Sequence, residues 1–348
     1  MANATVSFKP KQVVKRLLSP LPDRAREVMQ MRFGLGKDVR MLTLDSIGQK
    51  YGITRERVRQ IEAYSIESIR KSEEYRLEKA AFAELEELLY SLGGVIVEDD
   101  LLGHVSKDKS LRNHIHFLLA IGEPFKKLKE DDDFRHRWHV NEELAKSVEN
   151  ALKKLYDNLS TDDLLPESEV INKFLKHLEE VSEKYKNQEV IKRWLAISKR
   201  IGKNALGDWG SAKSSNIKNK GVRDYAFLVV RKHGSPIHFR EVAKQIEKLF
   251  NKKAHTATTH NELIKDKRFV LVGRGLYALA EWGYMPGVVR DVIQAIIAKH
   301  GPMTKDEIVD KVMKERYVKE NTVTVNLQNP KYFRRDGSGK YSVAAVVQ

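Results

Sequence analysis

Residues 43–63 read TLDSIGQKYGITRERVRQIEA, and the spacing of hydroxyls and glycine in this stretch predicts two helices meeting at a tight turn. Thr43 stands where a hydroxyl accepts from the unpaired amides at the start of a helix over 44–51. Gly52 supplies the left-handed residue that ends this helix at little steric cost. Thr54 follows as a second cap, with Ile53 before it and Val58 at its fourth position placed for a hydrophobic staple. So short a glycine-containing junction is the signature of a helix-turn-helix. At about 100° per residue, Arg55, Glu56, Arg59 and Gln60 share an arc of about 140°, opposite the anchors Val58 and Ile61. Arginine matches the acceptors of guanine, glutamine matches adenine, and glutamate accepts from cytosine, so this arc has the chemistry to read base edges.

Upstream, a further helix is expected from Pro22, as first helical residue, to Phe33, with Gly34 as its stop. Val28, Met31 and Leu35 lie on one side of it. The 348 residues give a prior of two to three domains. No apolar run approaches membrane-spanning length, and the N-terminus lacks the h-region of a signal peptide, so a soluble cytoplasmic protein is expected. The absence of cysteine excludes disulfides, Cys-ligated metals and thiol catalysis. The net charge of +15 is uneven: residues 1–72 carry +8, 73–140 carry −5, 141–210 carry −1, 211–285 carry +9 and 286–348 carry +4. Two basic ends around an acidic-to-neutral middle suit a polyanion held at both ends.

The stretch LPDRAREVMQMRFGLGKDVRMLTLDSIGQKYGITRERVRQIEAYSIESIR closely resembles region four of housekeeping bacterial sigma factors, and TRERVRQIEA is its most specific string. The resemblance implies that Arg55, Glu56, Arg59 and Gln60 read a minus-thirty-five promoter element in the major groove. It also implies phosphate contacts at Arg24, Arg32, Thr43, the Leu44 backbone and Thr54, which position the domain without reading sequence. Ser46 stands where the family usually has a glutamate, so the capping box is lost. Tyr64, Ser65, Ile66 and Glu67 replace the family's basic stretch, which puts its activator surface in doubt. About 20 residues precede the match, too few for the promoter-melting domain, so a complete sigma factor is not expected.

Residues 222–284 and 286–346 resemble each other at a period of 66–67: Lys232-His233-Gly234-Ser235-Pro236 recurs as Lys299-His300-Gly301-Pro302. Each unit ends in two alternating apolar runs around a glycine turn, which predicts a hairpin after helices, a winged helix. The first unit resembles HARE-HTH domains, a family that includes the N-terminal domain of the RNA polymerase delta subunit. Its most specific segment is RFVLVGRGLYALAEWG, and the second unit is a weaker copy. Arg274 at the first wing tip and Arg334, Arg335 and Lys340 in the second are the candidate wing contacts to DNA.

Between these ends, residues 73–140 read as a degenerate winged helix with an acidic tip at Glu130-Asp131-Asp132-Asp133, which would repel phosphate. Residues 141–201 read as helical. Ile171, Phe174, Leu178, Val181 and Tyr185 alternate by three and four, too briefly for a coiled coil, so packing within the chain is expected. Residues 202–221, rich in glycine and serine, read as a linker anchored by Trp209. With 1–20 as an N-terminal extension and 21–72 as the helix-turn-helix, the expected fold is mainly α with small β-hairpin wings, a multidomain array of helix-turn-helix and winged-helix modules. His114, His116, His136 and His139 form no ligand pattern, and Gly273-Arg274-Gly275 lacks the lysine and Ser/Thr of a phosphate-binding loop. No catalytic residue, metal, cofactor or small-molecule substrate is expected. The reading is a non-enzymatic, nucleoid-associated transcription regulator with double-stranded DNA as partner. The alternative is an accessory or sigma-competing factor of core RNA polymerase, docking on its β flap.

Overall fold

The two threonines act as their positions predict. In the computed structural model, which describes residues 6–178, 185 and 187–344, Thr43 Oγ1 accepts from the Ser46 amide at 3.1 Å and Thr54 Oγ1 from the Arg57 amide at 3.2 Å. The helices they open are α3 (Leu44–Tyr51) and α4 (Arg55–Lys71), preceded by α1 (Pro10–Leu18) and α2 (Asp23–Phe33). Gly52 ends α3 at φ 63°, inside the region glycine enters freely. Pro22 takes the cap position of α2 and not its first helical position, a one-residue shift. Ile53, Val58, Ile47 and Val28 share one small apolar cluster, so the staple is built into the packing of the turn.

The chain is mainly helical with small antiparallel strand pairs, and it divides into two compact units. The first holds residues 1–202 and 209–212; the second holds 203–208 and 213–348. Among the described residues no helix is long and apolar enough to cross a membrane.

In the first unit α4 leads into α5 (Glu73–Leu77), α6 (Lys79–Ser91), β1 (Val95–Val97), α7 (Glu98–Val105) and α8 (Lys109–Ile121). Then come β2 (Lys126–Leu128) and β3 (Arg137–His139), followed by α9 (Glu142–Asp157), α10 (Glu167–Leu175) and α11 (Gln188–Leu195). The strands form a sheet of order β1-β3-β2, with Ile96 and Lys127 both opposite Trp138. One apolar cluster joins Val13 and Leu17 of α1, Met29 and Phe33 of α2, Ile69 of α4, Leu85 of α6 and Phe117 of α8. Residues 10–18, read from sequence as part of an extension, are therefore a core helix. A second cluster holds Val148, Phe174, Trp194 and Trp209, with the Trp194 ring N–H donating to the Gly93 carbonyl at 3.1 Å. Ile171, Leu178 and Tyr185 are buried in it too, while Val181 lies outside the described residues. The acidic tip is countered within its own unit: Glu130 pairs with Lys199 at 2.8 Å, Asp131 with Arg137 at 3.6 Å and Asp133 with Arg200 at 2.5 Å.

Glu98, at the start of α7, takes the Trp138 ring N–H at 2.8 Å and pairs with Lys127 at 2.5 Å and His116 at 3.5 Å. Burial alone would raise its pKa, but the hydrogen bonds from His116 and Lys127 outweigh that and hold it at about 2. A carboxylate held below its unfolded value stabilises the fold above its ordinary pKa of 4.5, and that contribution fades as the pH falls towards 2. About 3 kcal/mol of acid-labile stability is expected from this group. Denaturant midpoints of Glu98→Gln and the parent should therefore converge between pH 4.5 and pH 2 and differ above it.

Residues 202–221 are more than a flexible connection. They include β4 (Ile201–Lys203, from its second residue) and β5 (Trp209–Ser211), and the Asn204 side-chain oxygen accepts from the amides of Leu206 and Asp208 at 2.9 and 3.0 Å. Ser214, Asn216 and Ile217 are buried. In the second unit α12 (Val222–His233), β6 (Ile237–His238), α13 (Phe239–Phe250) and α14 (Thr256–Lys265) precede the hairpin β7 (Phe269–Leu271) and β8 (Leu276–Leu279). The repeat follows as α15 (Val289–His300), α16 (Lys305–Glu315), α17 (Glu320–Leu327), β9 (Phe333–Arg335) and β10 (Tyr341–Val343). Ile237 pairs with Tyr277 of the first hairpin, and Met303 bridges Tyr341 of the second, so the His-Gly-Ser-Pro and His-Gly-Pro turns feed equivalent edge contacts.

Candidate nucleic-acid interface

The first two turns of α4 present Arg55, Glu56, Arg59 and Gln60 as exposed side chains, while Val58 between them is fully buried. In the free chain these four are partnered within the module. Arg59 makes a two-pronged pair with Glu56, at 2.9 and 2.7 Å, and Arg57 donates to Gln60 at 3.1 Å. Arg55 lies 3.8 Å from Asp45 of α3. The Arg59 hydrogen bond pulls the Glu56 pKa down, and the same bond raises that of Arg59, so both remain charged near neutral pH. Exposed pairs of this kind contribute little to stability, so the groups can be released to base edges at small cost.

The expected phosphate contacts divide into two kinds. Arg24 is held 5.3 Å over the ring of Tyr51, whose hydroxyl donates to Glu27; burial and that bond push the Tyr51 pKa to about 12. The Leu44 amide opens α3 behind the Thr43 cap, at the positive end of the helix, where anions are favoured. Arg32, Thr43 and Thr54 have structural tasks as well. Arg32 donates to Glu62 at 3.3 Å and to the Leu42 carbonyl at 3.3 Å, tying α2 to α4 and to the loop before α3. Thr43 and Thr54 hold the caps described above, and the Ser46 hydroxyl, 2.9 Å from that of Thr43, stands in place of the missing glutamate.

Sequence reasoning missed the groups that mount this module. Arg26 donates to the carbonyls of Leu18 and Leu21 at 3.1 and 2.8 Å, closing the α1–α2 turn. Asn113 of α8 donates to the carbonyls of Gly34 and Val39 at 3.0 and 2.9 Å, and Arg70 at the end of α4 donates to the Ile121 carbonyl at 2.8 Å. Phe33 packs edge-on against Phe117 at 5.2 Å. A basic residue in the last turn of a helix is a legible signal for a carbonyl partner, as at Arg70; nothing local marks Asn113.

The wings differ from each other. Arg274 is exposed, but the turn that carries it runs beside Tyr317 of the second repeat. In the second wing Arg334 and Arg335 are exposed on β9, with Arg335 5.8 Å over the Tyr341 ring. Asp336 sits in that tip, accepting from the amides of Ser338 and Lys340, each at 2.9 Å, so the tip is of mixed charge.

A three-helix support with a capped, polar, exposed recognition helix defines a helix-turn-helix module of the DNA-binding class. Comparison with known proteins specifies it further: residues 17–71 match sigma-70, region 4, so this part of the chain is a region 4 domain. Over 54 residues the chain is 50% identical to the RNA polymerase sigma factor SigA1 of Synechococcus elongatus, covering 16% of this chain and 13% of that protein. It is 43% identical over 60 residues to SigA of Lactococcus lactis subsp. cremoris, covering 17% and 16%, and 46% identical over 57 residues to SigA of a Nostoc species, covering 16% and 14%. The chain thus spans between 13% and 16% of the length of these relatives.

Proposed function

We propose that the chain is a non-enzymatic, sequence-specific DNA-binding transcription regulator of the bacterial cytoplasm that reads a promoter element of the minus-thirty-five type through α4. The observation that carries this reading is the exposed set Arg55, Glu56, Arg59 and Gln60, backed by the buried Val58 and seated on capped helices. Arg24 and the amide end of α3 supply backbone contacts. The basic wing residues Arg274, Arg334, Arg335 and Lys340 lengthen the footprint, in keeping with the HARE-HTH resemblance of the second unit. Several phosphate contacts make the affinity steeply dependent on salt.

The second reading is an RNA polymerase accessory factor that docks on the β flap through region 4. Against an apolar docking face on the module stands the packing of α8, which covers Phe33 and Ile69 within the same unit. Selection of random duplex DNA by the purified chain, with and without core polymerase, separates the two. A motif selected by the protein alone supports the DNA reader; a motif that appears only with polymerase overturns it in favour of the accessory role. Within the leading reading, Arg59→Ala is expected to cost about 1–3 kcal/mol of duplex affinity and to relax preference at one base pair. A variant with the parent's full base-preference profile would remove Arg59 from the reading set.

A further inference from the structure

The two repeats of the second unit are joined along the wing of the first. The Tyr317 amide donates to the Val272 carbonyl at 2.6 Å, and Tyr317 runs parallel to Gly273. A Cβ on Gly273 would stand 2.9 Å from the Tyr317 carbonyl oxygen, and one on Gly275, where φ is 74°, would meet the His238 ring at 2.6 Å. The Gly-Arg-Gly turn is therefore the residue pattern that lets two elements close on the wing from different sides. Between them lies a cleft of about 960 Å³, at the upper end of the range for ligand sites.

The lining of this cleft has two features that suit a ligand. On one side Phe239 stacks with His238 at 4.5 Å and with His260 at 4.1 Å, the second pair only 18° from parallel. Val288 and Tyr317 also line it, although they remain 59% and 56% exposed. The other feature is charge: Arg274, Arg316 and Lys319 line the cleft together with the two histidines, and no carboxylate does. Arg316 is the decisive member. It is only 2% exposed, and its guanidinium donates to the carbonyls of Glu315 at 2.9 Å, Gly287 at 3.2 Å and Met285. Its nearest counter-charge is the adjacent Glu315 carboxylate, which accepts from the Met285 amide at 3.4 Å and acts on Arg316 through space, without a direct ion pair among the described residues. The cleft thus gathers three cationic side chains with no carboxylate in its lining, and an anion bound there would be favoured.

We infer that this cleft binds a nucleotide, its base against the aromatic and aliphatic wall and its phosphate among Arg274, Arg316 and Lys319. A flat aromatic anion satisfies both features at once: base faces stack on rings irrespective of sequence, and the phosphate answers the carboxylate-free basic lining. An acidic peptide would answer only the charge. The nucleotide is either free or an unpaired residue of a nucleic acid strand, since both carry the same two groups.

The test uses the full chain and fluorescence anisotropy of a labelled oligodeoxyadenylate, with adenosine monophosphate, inorganic phosphate and polyglutamate as competitors. Saturable binding displaced by the monophosphate, and not by phosphate or polyglutamate at equal charge, is the expected result. Much tighter binding of the strand than of the monophosphate assigns the source to nucleic acid; similar affinities assign it to the free nucleotide. Val288→Trp, a change at an exposed position that fills the cleft without altering charge, should weaken binding by about tenfold or more. Lys319→Glu should do the same from the charged side. Both should leave selection of duplex DNA through α4 intact, so failure here is distinct from failure of the DNA-reading proposal. Absence of saturable binding at millimolar nucleotide, displacement by polyglutamate as effective as by nucleotide, or indifference to Val288→Trp and Lys319→Glu would each overturn the inference.

Discussion

Alanine at Arg55, Glu56, Arg59 and Gln60 together is expected to lower affinity for the selected duplex by about 10³-fold or more, down to the level of any sequence. The four side chains are exposed and hold only surface pairs with one another or with Arg57 and Asp45, so their removal should leave the melting temperature nearly unchanged. Arg24, Arg32 and the amides at the start of α3 remain, and with them most of the phosphate term. The slope of log affinity against log salt should therefore stay close to the parent's while the preference between selected and scrambled duplex disappears. Duplex titrations over a series of salt concentrations read both quantities. A variant that still prefers the selected duplex would move base reading out of α4.

The helix-turn-helix was legible because each of its decisions is local. A hydroxyl two steps after a glycine, a β-branched staple and a polar arc are all contained within 21 residues, and the structure starts both α3 and α4 within those bounds. The hairpins of the second unit were legible for the same reason, since a glycine turn between alternating apolar runs fixes register without distant help. What escaped the sequence is non-local. Residues 10–18 show Val13, Val14, Leu17 and Leu18 at helical spacing, but only the burial of these side chains with Phe117 and Leu85 makes them core. Asn113 reads as one polar residue on an apolar helix until its two carbonyl partners, 79 and 74 positions away, come into view. Gly273-Arg274-Gly275 was correctly a turn, yet the reason for both glycines lies at Tyr317 and His238, which no spacing rule connects to them. Arg316, one of eleven basic residues after position 285, carries no local mark of being buried.

Replacing Phe117 by alanine is expected to cost about 3–5 kcal/mol of folding stability, the range for deleting a fully buried phenylalanine from a close-packed core. Phe117 is completely buried and meets Phe33 edge-on, 79° between planes, where α2 ends. Its neighbours on α8 work on the same junction: His116 packs 5.7 Å from Phe33 and reaches Glu98, while Asn113 holds the loop between α2 and α3 by two carbonyls. The region 4 domain is thus packed into a larger core, and α8 lies against the helices that carry α4. Hydrogen exchange in Phe117→Ala should show protection falling together in α2, α4 and α8, with the denaturant midpoint shifted to match. Loss of protection in α8 alone, with α2 to α4 unchanged, would mean that the helix-turn-helix folds without α8. In the cooperative case duplex affinity per folded molecule should remain within a few-fold of the parent, because Phe117 is buried in the core while Arg55, Glu56, Arg59 and Gln60 stand exposed on α4. The same variant would then separate two roles of the proposed DNA reader: the stability of its fold, through α8, and its choice of sequence, through α4.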